Sequence, residues 1–193
     1  MELESKTTYR ELSLSGEIYT DEKILSAEFD NCTFSECDFT GANLRGSTFD
    51  EVLFDNCNLS RVRVDECGFR TVHFRDCKIA GVNFTSINQF LVEWKFERSI
   101  LEFCDFSGGK FPGSIFLNSI VRECEFVESD LSEGIFSHTD LIRSRFHRTN
   151  LTEADFREAR NYTIDPRENI LTGARFSQPE VFALLDFFGV EIE

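Results

Sequence analysis

Seven cysteines and three histidines are the residues of this chain best suited to chemistry, through metal ligation, thiol redox or nucleophilic attack. Their spacing argues against all three. Every cysteine (Cys32, Cys37, Cys57, Cys67, Cys77, Cys104 and Cys124) stands two residues before a large apolar residue, and no C-x-x-C pair occurs. They read as small buried fillers rather than as ligands or redox centres. His73, His138 and His147 have no partner at metal or triad spacing. No glycine-rich phosphate loop, G-x-S-x-G or H-E-x-x-H is present. The residues predict no catalytic group, no metal and no cofactor, and a protein that is not an enzyme.

The elements that must position these side chains follow from a period of five. From Phe29 through Phe34, Phe39, Leu44 and onward to Phe84, and again from Phe96 to Phe156, every fifth residue is apolar, 25 positions in all. This is neither the 3.6 of a helix nor the 2 of a strand, so it describes an architecture. Two residues before each apolar centre the residue is small in 24 of the 25 cases, and Trp94 is the exception. The residue just before the centre is often Asp or Asn. Two inward and three outward residues per unit suit a chain that turns a corner at every repeat. Four corners close a square of 20 residues, and squares stack at about 4.8 Å. Residues 20 apart then share a column: Phe96, Phe116, Phe136 and Phe156 in one, Phe106, Phe126 and Phe146 in the opposite one. Stacked rings at that repeat add about 0.5–1.5 kcal/mol per pair beyond burial.

One domain is expected, in five stretches. Residues 1–23 form an N-terminal segment, frayed over 1–8, with an imperfect first coil on Tyr9, Leu14 and Tyr19, in phase with Ile24. Residues 24–84 are a first repeat array, 85–95 an interruption, 96–160 a second array and 161–193 a C-terminal cap. The interruption shifts the phase by two residues and predicts an ordered bulge or a single helical turn. In the cap, Ser177-Gln178-Pro179-Glu180 has the capping-box pattern, and Gly189 supplies a stop. A short helix over about 178–188 is predicted to close the open end of the coil. It has more apolar surface than a plug needs. Val181, Phe182, Leu185 and Phe188 are candidates for a homodimer contact, against a monomeric cap.

The unit small–polar–Phe/Leu–polar–polar, as in Ala42-Asn43-Leu44-Arg45-Gly46 and Ala154-Asp155-Phe156-Arg157-Glu158, resembles the pentapeptide-repeat family over roughly residues 24–160. The resemblance implies an all-β solenoid, a right-handed quadrilateral β-helix. Phe29-Asp30-Asn31-Cys32-Thr33-Phe34, Phe74-Arg75-Asp76-Cys77-Lys78-Ile79 and the tail from Asn161 to Glu180 are most similar to the albicidin-resistance, microcin B17 immunity and quinolone-resistance subgroup. That subgroup implies a dimeric, acidic rod that imitates duplex DNA and acts on DNA gyrase or topoisomerase IV. The long projecting loops of the quinolone-resistance proteins are missing from this chain.

Charge and surface pattern leave two partner modes open. Net charge is −15, with 35 Asp and Glu against 20 Lys and Arg, which disfavours direct contact with nucleic acid or an anionic membrane. No run of 18 apolar residues occurs and the chain opens on Met1-Glu2-Leu3-Glu4, so a soluble, cytoplasmic protein is expected. Asp105, Glu125, Glu128, Asp130, Glu133 and Glu153 form an acidic stripe on two sides of the second array. It is either a solvated face or a partner-binding one. On the other two sides Ile100, Phe103, Ile115, Leu117, Ile120, Ile135 and Ile142 form an apolar strip, either covered by the interruption or facing a partner. The residues therefore allow a DNA mimic that protects or modulates a type II topoisomerase, or an interaction scaffold with an unrelated partner.

Overall fold

The computed structural model describes residues 1–191, and in it the five-residue period becomes a four-sided, right-handed parallel coil of about eight turns. Strands stack in register with an offset of 20. On the first side Thr8–Arg10, Glu28–Asp30, Thr48–Asp50 and Gly68–Arg70 pair in order. On the second side six strands run from Ser13–Ser15 to Ile115–Leu117, and on the third Lys78–Ala80, Ile100–Glu102 and Ile120–Arg122 pair. Elsewhere single bridges continue the ladder, such as Asn43 with Arg63 and Asp130 with Asn150.

Each coil turns because its corner residue, two after the apolar centre, adopts a left-handed backbone. Among the described residues twenty-five non-glycine residues have a left-handed φ, nearly all at these corners, Glu51 at 51° and Glu133 at 58° among them. That conformation costs an L-residue roughly 1–2 kcal/mol. Amide-to-carbonyl bonds between coils at many corners, such as Glu133 N–H to Thr152 O at 2.8 Å, offset it. The frequent Asp or Asn before the centre fastens the turn, because its side chain accepts the amide two residues on. Asp38 takes Thr40 N–H at 2.9 Å, Asn83 takes Thr85 N–H at 2.8 Å and Asp105 takes Ser107 N–H at 2.9 Å.

Inside, rings stack along columns and meet edge-on across the square. Phe116 lies 5.0 Å from Phe96 and from Phe136, nearly parallel to both, and 6.1 Å from Phe126 at 87°. The small inward residues also bond the coil before them. Cys57 Sγ donates to Phe34 O at 3.2 Å, Ser47 Oγ to Ile24 O at 2.9 Å and Ser144 Oγ to Val121 O at 2.8 Å. All seven cysteines are free and buried.

At the interruption the offset becomes 22, so that Phe74 pairs with Phe96 and Ile79 with Leu101, and then returns to 20. The segment is an ordered bulge with no helical turn. The first-side position that should hold an apolar centre falls to half-buried Gln89, and Trp94 fills the vacancy. Its indole stacks on Phe111 at 4.9 Å and meets Phe69 edge-on at 5.6 Å.

The two ends depart from expectation. Residues 1–8 are not frayed throughout: Leu3 is buried, Ser5 Oγ accepts Leu25 N–H at 2.9 Å and Lys6 N–H reaches Leu25 O at 2.8 Å. The cap holds two 3-10 turns, Glu180–Leu184 and Asp186–Phe188, in place of one helix over 178–188. The capping box does not form, because Ser177 Oγ instead accepts Glu158 N–H at 2.8 Å, tying the segment to the last coil. Gly189 does stop the segment, at φ 64°. The last two residues of the 161–193 stretch lie outside the described residues.

Candidate partner-binding surfaces

The acidic stripe occupies the fourth and first sides and the corners that follow them. Its members differ in what else they do. Asp105 and Asp130 each close a local turn, accepting Ser107 N–H and Ser132 N–H at 2.9 and 3.0 Å. Asp130 also accepts Asn150 Nδ2 at 2.9 Å. Glu125 lies 3.8 Å from Arg145, and Glu128 lies 3.2 Å from Arg148. Glu133 and Glu153 have neither an ion pair nor a turn bond among the described residues. Stacked on one corner, they border an open concavity of about 490 Å³ with Asp155, Gly173 and Arg175.

The cross-coil pairing is general. Arg122 meets Glu102, Arg143 meets Glu123 and Arg75 meets Asp55, each one coil away. Sequence reasoning missed these pairs, although the 20-residue period placed each Arg directly beyond its acid. At the interruption the pairs merge into a network. Glu97 accepts Lys95 at 2.8 Å and Arg98 at 2.6 Å, and lies 3.1 Å from His73 Nε2. Arg98 also forks onto Asp76 at 2.9 and 2.7 Å. The Lys95 ammonium, with Arg98 and His73 near, holds the Glu97 carboxyl down at about 2. Burial, then Lys95, keeps His73 below its ordinary range despite Glu97.

The apolar strip lies on the second and third sides. Ile100 pairs in register with Ile120, and Ile115 bridges to Ile135. Ile100 is 39% and Phe103 59% exposed, while Ile115, Leu117, Ile120, Ile135 and Ile142 are half-buried. The interruption leaves Ile100 and Phe103 uncovered: it runs along the first side, where Asn88 bridges to Gly68 and Gln89 Oε1 accepts Lys110 N–H. In the cap Ala183 and Leu184 pack on the core. Phe182, Leu185 and Phe188 face outward, and Val181 is half-buried. Tyr162 closes the end of the core, its ring 5.8 Å from Phe156 and 5.6 Å from Phe176.

The cysteines are poorly placed for thiol chemistry. Burial pushes the Cys67 thiol up to about 12, and the stacked neighbour thiols together with burial hold Cys77 and Cys124 higher still. Protonated thiols are weak nucleophiles and ligands. Among the described residues no group of three His, Cys, Asp or Glu could hold a metal ion. No helix among them is long and apolar enough to cross a membrane.

Comparison with known proteins agrees with this geometry. Two trypsin-treated variants of QnrB1, a plasmid-mediated fluoroquinolone resistance protein, share the fold with a TM-score of 0.63. Their identities are 22% and 21%, over 96% of this chain and 99% of theirs. No curated protein matches the chain by sequence. A family model described as a pentapeptide repeat region matches residues 27–102, and one described as pentapeptide repeats (8 copies) matches 124–160. With repeat models covering more than half of a coil that turns every five residues, the chain belongs to the pentapeptide-repeat family.

Proposed function

We propose that this protein is a non-enzymatic DNA mimic that binds a type II topoisomerase, DNA gyrase or topoisomerase IV, as a homodimer, and protects or modulates it. The observation that carries the reading is the acidic ladder on two adjacent sides of a rod that has no lateral strand edges. About eight coils at ~4.8 Å make a rod of roughly 38 Å. A net −15 over that length is about one charge per 2.5 Å, against one per ~1.7 Å for duplex DNA. The likeness to a fluoroquinolone resistance protein is in keeping with the reading. Within the stripe, Glu133 and Glu153 are the acids free to meet a basic DNA-binding groove, because the other four are engaged within the rod.

The test is gyrase supercoiling with purified protein titrated in, with and without a cleavage-stabilising poison. Inhibition or rescue from the poison is expected, weakened severalfold in a Glu133→Lys/Glu153→Lys double variant that keeps its fold. No effect on gyrase or topoisomerase IV would sink the reading. The second reading, a scaffold with an unrelated partner, rests on exposed Ile100 and Phe103 at the head of the apolar strip.

A further inference from the structure

Within the rod each coil has its backbone satisfied from the coils on either side, so the first coil shows what is left over. Glu28 N–H reaches back to Thr7 O at 2.9 Å, and Thr33 N–H to Leu12 O at 2.8 Å. Thr8 and Ser13 hold the same positions one coil earlier, and among the described residues their amides have no acceptor. Asp30 O and Ser35 O accept Glu11 N–H and Gly16 N–H at 2.9 Å, whereas their counterparts Arg10 O and Ser15 O receive no amide. Thr8–Arg10 and Ser13–Ser15 therefore present open strand edges at the N-terminal end of the rod. Neither strand has a proline, a bulge or an inward charge, the usual devices that keep such edges from pairing.

Only half of this end is covered. Residues 1–5 lie over the third and fourth sides, where Tyr19 Oη donates to Met1 O at 3.1 Å and Ser5 Oγ to Lys23 O at 3.2 Å. On the first and second sides Tyr9, Leu12 and Leu14 stay half-buried, while Phe29, Cys32 and Phe34 in the next coil are fully buried. The Tyr9 ring stacks on Phe29 at 5.2 Å and 10°, with no ring on its other face. The surface around the open half is acidic. Residues 7–17 and 27–37, the first two sides of the first two coils, hold five Asp and Glu against Arg10 alone. Arg10 lies 3.5 Å from Asp30, and among the described residues Glu11, Glu28 and Glu36 have no ion pair. A second copy fits this end poorly: residues 1–5 stand in the way of a flat coil end, and acid would face acid.

We propose that this half-open end is a docking site for an extended basic protein segment, which adds a strand to each of the two edges. Two apolar side chains five residues apart stack on Tyr9 and Leu14, as each coil stacks on the next. Their amides donate to Thr8 O and Ser13 O, the bond that Phe39 N–H makes to Asn58 O at 2.8 Å within the rod. Cations at the outward positions meet Glu11, Glu28 and Glu36. Main-chain bonds give the affinity, the two apolar positions the specificity, and charge the sign of the partner. The proposal goes beyond the topoisomerase reading and uses the end of the rod rather than its sides, so it stands or falls separately.

The probe is fluorescein-labelled KFTGSKLK-amide, titrated with the full chain and followed by fluorescence anisotropy. One control is the same peptide N-methylated at its Phe and Leu, which keeps the charge and side chains but removes the two donors. The other is EFTGSELE-amide, with the charge reversed. Saturation below about 1 mM is expected for the first peptide alone, weakening with added salt. Thr8→Pro should weaken binding about fivefold or more with the coil intact, since that amide donates to nothing inside the molecule. If circular dichroism shows that this variant fails to fold, Glu11→Lys decides, with a severalfold loss expected. Its corner backbone is one that Lys6 already adopts, at φ 58°. No saturation, equal binding of either control, or an affinity unchanged in the folded variants would overturn the proposal.

Discussion

At the scale of single residues, each position of the unit is explained by something it touches. The small inward residue must leave room for a neighbouring ring, and in several units its hydroxyl or thiol bonds the coil before it, as Ser47, Cys57 and Ser144 do. Gly134 is the tight case: a Cβ there would lie 2.8 Å from Leu131 O and 3.1 Å from the Phe136 ring. Gly134→Ala is expected to cost about 1–3 kcal/mol, read from guanidinium unfolding. Acid should act through the network at the interruption. Glu97 is held at about 2, below its ordinary 4.5, so the folded state binds its proton more weakly than the unfolded chain does. Its contribution is complete above pH 4.5 and is lost as pH falls toward 2. His73, held below its ordinary 6.5, adds a loss in the same direction, beginning as pH drops through that value. Urea midpoints measured down this range should fall less steeply in Glu97→Gln than in the parent.

At the scale of elements, the interruption is a joint between two interior layouts. Before it, Tyr9, Phe29, Phe49 and Phe69 stack on the first side. From Phe84 at its edge onward, the fourth side is aromatic, continuing through Phe106, Phe126 and Phe146. Trp94 touches both, 5.6 Å from Phe69 and 5.2 Å from Phe84. Sequence singled it out as the exception among small inward residues, and the structure supplies the reason: its ring replaces the apolar centre that Gln89 does not provide. A solenoid is held coil to coil, so damage at a joint separates its halves. Trp94→Ala should cost about 3–5 kcal/mol and split a single unfolding transition, followed by circular dichroism, into two. The C-terminal element was the least legible. Its Ser177 and Glu180 fit a capping box by spacing, but Ser177 Oγ was already committed to Glu158 N–H, a bond no local pattern shows.

At the scale of the whole molecule, the rod is an interaction surface with sides of different character. Stacking removes lateral edges, which are the usual route to unwanted strand pairing. What remains to recognise a partner is side-chain chemistry on four flat faces and two ends. The C-terminal end exposes Phe182, Leu185 and Phe188, with Phe188 54% exposed and the Arg167 guanidinium 5.9 Å above its ring. Under the homodimer proposal, light scattering on the eluting peak should give twice the 22.3 kDa chain mass. A Phe182→Ser/Phe188→Ser double variant should return it to one. A single-chain mass for the parent at micromolar concentration would remove the dimer from the proposed function.

The sequence by itself determined the architecture, because a period of five with two inward residues leaves few ways to bury every apolar centre, and the 20-residue column then follows. It also placed the cysteines in the interior, since each shares one inward position with Ala, Ser and Val. Tertiary structure decided which surface charges remain free. Asp105 closes a local turn through Ser107 N–H, but Glu125 and Glu133 look alike along the chain, and only the neighbouring coil shows that the first faces Arg145 while the second has no ion pair among the described residues. That pairing joins residues 20 apart in the chain and one coil apart in space, where Coulomb forces act and no five-residue unit records them.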